Sequence, residues 1–134
     1  MAGFADQVAA WADKANRRLE TAVRKIALDA FSEVILMSPV DTGRFRGNWQ
    51  VAIGNIPQGT VALEDKTGQV VISQVQATAL GLEVGQTIYL VNNLPYAQRL
   101  EYGWSQQAPG GMVRLTAQRY QAIVDQVVSQ IRNS

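Results

Sequence analysis

Apolar residues recur along the start of the chain at Phe4, Val8, Trp11, Ala15, Leu19, Ala22 and Ile26. Steps of three and four lay a single stripe along an amphipathic helix. The helix is predicted to run from about Phe4 to Met37. Pro39 stops it, because the residue before a proline, here Ser38, is pushed out of the helical region. Asp13 with Arg17, Glu20 with Arg24, and Lys25 with Asp29 are placed for pairing one turn apart. Such pairs add roughly 0.3 kcal/mol each to a helix.

The stripe changes face part-way. After Ile26 the large residues are Leu28, Phe31 and Ile35, roughly opposite the first stripe at about 100° per residue, with Val34 between. Asp29 and Glu33 take over the old apolar side. At about 1.5 Å per residue the helix spans about 50 Å, longer than a small domain needs. Leu28, Phe31 and Ile35 are therefore expected to dock on the domain's own sheet. The Phe4-to-Ile26 face is left for the C-terminal helix, a neighbouring subunit, or both. The plainer alternative is a helix broken near Ala27.

Beyond Pro39 the period shifts. Trp49, Val51 and Ile53 alternate with Gln50, Ala52 and Gly54, which predicts a half-buried strand over 48–56. A turn follows at 54–59, and 60–63 is expected to continue the sheet. Residues 69–80 carry Val71, Ile72, Val75 and Ala79 at a spacing nearer to helix than strand. Thr67 is suited to cap that helix and Gly81 to end it. A second strand is predicted over 86–92, buried on both faces or nearly so. Pro95 opens a short helical turn over 96–102, closed by Gly103. From Met112 to Ile131, Val113, Ala117, Tyr120, Val124, Val127 and Ile131 again step by four and three. The pattern describes one α+β domain over 1–134. A long helix (1–37) and a C-terminal helix (112–132) pack on a small antiparallel sheet within 38–111, which also holds a short helix.

Composition narrows the chemistry. The chain has 134 residues, 47% of them hydrophobic, enough for one core. Its net charge of +1 argues against a protein whose main affinity comes from neutralising many phosphates. Histidine and cysteine are both absent, which excludes a disulfide, a Cys/His zinc site and any single-chain mechanism that needs an imidazole. Asp6 and Asp13 interrupt the N-terminus, which does not read as a signal peptide. No apolar run is long enough to span a membrane. A soluble protein made in the cytoplasm is expected.

Four groups of residues are candidates for function. The segment 38–50, SPVDTGRFRGNWQ, is a highly specified turn. Asp41 and Thr42 can cap it, Gly43 permits a left-handed backbone, and Arg44 and Arg46 share a side if strand pairing begins there. It suits a fixed joint presenting charge to a partner, or a plain connection with two solvated arginines. The segment 96–104, YAQRLEYGW, crowds Tyr96, Arg99, Glu101, Tyr102 and Trp104 together, a composition that favours interfaces. Tyr96, Leu100 and Trp104 are equally spaced to cover the core, and both readings hold if Leu100 faces in and Trp104 out. The following loop, SQQAPGG over 105–111, reads as a flexible hinge or docking loop. Arg17, Arg18, Arg24 and Lys25 cluster on the polar side of the first helix as a DNA-facing surface or an ordinary solvated face.

Catalytic signals are weak. Glu64 and Asp65 read as a solvated tip, and Asp29 and Glu33 as a solvated face or a pair awaiting a cation. No phosphate-loop motif occurs, and Gly110–Gly111 lacks the lysine and hydroxyl that would make it an anion cradle. No catalytic residue, metal site or cofactor site is assigned. An enzyme would need a carboxylate–metal mechanism.

Two blocks carry a resemblance. The run from Ser38 to Trp49 resembles the PVDTG-x-[LF]-R-x-[SN]-W signature of phage tail completion or neck proteins of lambda-like long-tailed phages. The run from Asn93 to Ser105, continuing through Ala108, Pro109, Gly111, Met112 and Val113, is similar to that family's YA-x-x-[LV]-E-x-G and AP-x-G-M-V block. Order and spacing match over most of the chain, though 60–80 carries no motif that aligns. The resemblance implies a structural virion protein at the head–tail junction, not an enzyme. It would form a ring around the DNA channel, as a rule sixfold, and join tail to head. Its partners would be copies of itself and adjacent terminator, stopper and tail-tube proteins, with DNA passing non-specifically and no membrane involved. On that reading Asp41, Thr42, Gly43, Arg44, Arg46, Trp49, Tyr96, Arg99, Glu101, Tyr102 and Trp104 form the subunit or partner interface. Asp41, Arg44 and Arg46 would lock one subunit to the next, with Glu101 as an ion-pair partner. A tail terminator or other minor tail or capsid component is an alternative of the same class, and a DNA-binding module one of another class.

Overall fold

The structure, a computed structural model, describes residues 3–133; residues 1, 2 and 134, at the ends of the expected 1–134 span, lie outside the described residues. The predicted long helix is present as α1, Phe4–Met37, unbroken through Ala27. Glu20 pairs with Arg24, and Lys25 with Asp29 at 2.8 Å. The expected Asp13–Arg17 pair is not among the ion pairs of the described residues. Ser38 ends the helix with an extended backbone, as the following Pro39 requires.

Two short segments follow. Arg44–Gly47 is a helical turn, α2, so strand pairing does not begin there. Arg44 and Arg46 therefore do not share one side of a strand. Gly43, at φ 91°, makes this possible; a Cβ there would stand 2.6 Å from the Lys66 backbone nitrogen. Strand β1, Trp49–Ile53, then pairs antiparallel with β2, Ile88–Asn92, with Trp49 opposite Asn92 and Val51 opposite Leu90. These two strands are the whole sheet of the described residues. The expected third piece at 60–63 is irregular chain. It is held instead by Asn48, whose Oδ1 accepts from the Val61 N–H at 2.9 Å. Strand β2 is half-buried along its length, less than expected.

The short middle helix is α3, Gln69–Ala79, with Val71, Val75 and Ala79 on its buried face. The expected cap is partly there: Thr67 Oγ1 accepts from the Gln69 N–H at 3.3 Å. The stronger fastening comes from Asp65, which is buried and accepts from the Val71 N–H at 3.0 Å. That corrects the reading of Asp65 as a solvated tip. A two-stranded hairpin is marginal by itself, and α3 supplies its apolar cover. Helix α3 packs on both β1 and α1. The second half of α1 thus meets α3 and the C-terminal helices as its main neighbours, where the sheet was expected.

Helix α4, Ala97–Glu101, is the predicted turn, and Gly103 closes it at φ 89°. The C-terminal helix is in two pieces, α5, Val113–Gln118, and α6, Tyr120–Arg132, separated at Arg119. One core unites the parts. Val34, Ile35, Phe45, Trp49, Val71, Val75, Leu94, Ala108 and Met112 form its buried centre. Leu28 and Phe31 pack at its margin. The α+β class and its small antiparallel sheet thus stand as read from the pattern.

Candidate functional site

The two blocks singled out in the sequence meet in space. Pro39, Val40 and residues 41–45 form one wall of a cleft of about 270 Å³, and Tyr96, Leu100, Ser105 and Gln107 form the other. The seam between them is polar and specific. The Gln107 side chain accepts from the Val40 N–H at 2.8 Å and donates to the Val40 carbonyl at 3.0 Å, as a neighbouring strand would. Ala108 beside it is buried in the core. The 105–111 loop is therefore pinned at its centre, which corrects its reading as a flexible hinge.

Arg46 faces inward. Its guanidinium donates to three backbone carbonyls: Ser38 at 3.1 Å, Lys66 at 2.9 Å and Leu36 at 2.8 Å. Two of these lie at the C-terminal end of α1, where carbonyls lack helical partners and the helix dipole favours a cation. Burial pulls the Arg46 pKa down, and the nearby Asp65 charge partly offsets this. Trp49 is likewise internal: its indole N–H donates to Ser38 Oγ at 2.8 Å, and Ser38 Oγ donates to the Val34 carbonyl at 2.8 Å. Phe45 stands edge-on to Trp49 and tilted against Tyr96, so Tyr96 belongs largely to the core margin.

Glu101 is engaged within the chain as well. Its carboxylate accepts from the backbone N–H groups of Met112 at 3.0 Å, Val113 at 2.8 Å and Arg114 at 3.0 Å, and pairs with the Arg114 guanidinium at 3.1 Å. The Arg114 side chain also donates to the Glu101 carbonyl. Burial alone would raise the Glu101 pKa, but these donors together outweigh it and hold the carboxyl below its ordinary range. The amides after Gly110–Gly111 do cradle an anion, and it is this side chain.

The remaining predicted residues stay at the surface. Asp41, Thr42 and Arg44 are exposed on the cleft rim; Thr42 Oγ1 accepts from the Arg44 N–H at 3.2 Å. Tyr102 and Trp104 are 72% and 74% exposed. Arg114 stacks over Tyr102 at 4.7 Å and Arg99 over Trp104 at 5.5 Å, so each exposed ring carries a cation. The Leu100-in, Trp104-out arrangement is as read. The four cations of α1 divide: Arg24 binds Glu20 and the Leu82 carbonyl, Lys25 binds Asp29, and Arg17 and Arg18 are exposed. Asp29 and Glu33 each meet a cation of the same chain, Lys25 and Arg119.

Sequence reasoning missed Asn48, Asp65, Asn92 and Gln107. The Asn48 amide donates to the Arg44 carbonyl at 2.7 Å, and the Asn92 amide to that of Phe45 at 2.9 Å. Between them they hold α2 shut. Asn48 lies inside the signature block, which was a usable signal; Gln107 had none. Among the described residues no group of three or more His, Cys, Asp or Glu is placed to hold a metal ion, and no helix is long and apolar enough to cross a membrane. Comparison with family models, curated proteins and solved structures gives no significant match.

Proposed function

We propose that this protein is a structural component of a tailed-phage particle, forming a ring at the head–tail junction that joins tail to head around the DNA channel. One observation supports this most. The two sequence blocks that resemble neck proteins lie far apart in the chain, yet they fold against each other into one hydrogen-bonded wall. Gln107 grips Val40, and Glu101 caps α5. Presentation of Arg44, Tyr102 and Trp104 on that wall suits a surface that must mate repeatedly with copies of itself and with neighbouring neck and tail proteins. The partner-facing set is narrower than the sequence alone suggests: Arg46, Trp49 and Glu101 hold the wall, and Asp41, Arg44, Arg99, Tyr102 and Trp104 face outward.

Native mass spectrometry of the purified protein, alone and with isolated tail tubes, tests the proposal. A closed homomeric ring, or ring-sized mass added to tubes, is expected. An Arg44→Glu variant mixed with wild type is expected to be left out of the rings. A protein that stays monomeric at every concentration and ignores tubes would end this reading.

A further inference from the structure

The basic side chains of this molecule divide sharply. Arg24, Lys25, Arg114 and Arg119 pair with acids, Arg46 clamps backbone carbonyls, and Arg99 lies over Trp104. Lys14, Arg17, Arg18, Arg44, Lys66 and Arg132 have no such partner among the described residues. Lys14, Arg17 and Arg18 lie within about 6 Å of helix axis. With Thr21 they follow the spacing i, i+3, i+4, i+7, which is one face of a helix. All three are exposed, and the four residues line a single cavity of about 260 Å³ whose remaining wall is Ile131, near the end of α6. Like charges one turn apart repel. Of the acids beside them, Glu20 is held by Arg24, and Asp13 pairs with none of the described residues.

These three cations exceed the whole net charge of +1, so the remainder of the chain is net acidic. A polyanion is therefore repelled by the rest of the surface and drawn to this face. The face carries cations and a hydroxyl but no exposed aromatic. Protein partners are held chiefly by aromatic and apolar anchors, whereas a phosphate backbone is held by cations alone. We infer that this face of α1 receives the phosphate backbone of double-stranded DNA through Lys14, Arg17 and Arg18. Lys14 thus takes the place of Arg24 and Lys25 in the expected DNA-facing set. The inference rests on the ring reading and says which face of each subunit turns to the channel. Few contacts per subunit suit a near-neutral chain, and a ring multiplies them.

Fluorescence anisotropy of a labelled duplex, with sedimentation in parallel, tests this. Three phosphate contacts predict that affinity falls about fortyfold for each subunit engaged between about 50 and 200 mM salt. Arg17→Gln combined with Arg18→Gln keeps good helix formers at exposed positions and should reduce that fall to about fourfold. Lys66→Gln removes an unpaired cation away from the face and should leave the fall unchanged. Polyglutamate should compete poorly; competition equal to that of unlabelled duplex would assign the face to an acidic protein and overturn the inference. Rings that bind no duplex, a double variant that matches wild type, or a Lys66→Gln variant equally impaired would each overturn it and leave the ring reading standing. Salt-dependent binding by a protein that stays monomeric at every concentration would support the DNA face and end its placement in a ring.

Discussion

Trp49 is 6% exposed and donates to Ser38, whereas Trp11 is 71% exposed and donates to no described residue. The segments around them differ in the same way. In the turn over 38–49, Ser38, Arg46, Asn48 and Trp49 all place side-chain donors or acceptors on partners of the same chain. In the arm over 4–11, every residue is exposed. The contrast separates residues that define a surface from residues that are the surface. Much of the signature turn is scaffold, and its conspicuous arginine at position 46 is a backbone clamp. The arm, at the start of the face expected to meet the C-terminal helix, a neighbouring subunit, or both, is the part left open.

The largest test of that division is Trp49→Ala. It opens a cavity in the core and removes the donor to Ser38 Oγ, and about 4 kcal/mol of stability should be lost in urea unfolding. Arg46→Ala comes next: leaving three carbonyls without their donor should cost about 2 kcal/mol by the same measurement. An Arg46→Ala protein as stable as wild type but unable to assemble would invert the comparison.

Glu101 gives a smaller, pH-dependent effect. Its folded-state pKa is depressed, so its contribution is present above the ordinary carboxylate range, near pH 4. It is lost as pH falls through the folded value. Glu101→Gln should therefore lower thermal stability at neutral pH, by about 1 kcal/mol for a helix cap, and flatten its decline on acidification. A variant whose loss is the same at pH 3 and pH 7 would show that the cap does not depend on charge. The smallest effect is expected for Trp11→Ser. Stability of the dilute monomer should move by less than about 0.5 kcal/mol, because the side chain is largely exposed in its own chain.

The helices were legible because their apolar spacing persists over many turns. The change of face after Ile26 correctly marks where α1 enters the body, but the partner it meets there is α3 more than the sheet. That partner is a matter of tertiary arrangement, which periodicity does not encode. The break at Arg119 was invisible, since Val113, Ala117 and Tyr120 keep helical spacing across it. At the candidate site, composition located the right segments and misjudged the direction of their charges. Arg46, Asp65 and Glu101 look like surface residues in one dimension. Each is drawn inward by backbone groups 6, 12 or 20 residues further along the chain. Local sequence does not announce a carbonyl or an amide that waits beyond the next turn.

One consequence of the Arg46 clamp is mechanical. Helix α1 is gripped at Leu36, and its final residue is followed by a gripped Ser38, while its opposite end stands clear. It is a cantilever. A load applied near Phe4 is taken first where Arg24 holds the Leu82 carbonyl and where α3 and α6 flank the helix, and only then by the bonds that also fix α2 and, through the Lys66 carbonyl, the approach to α3.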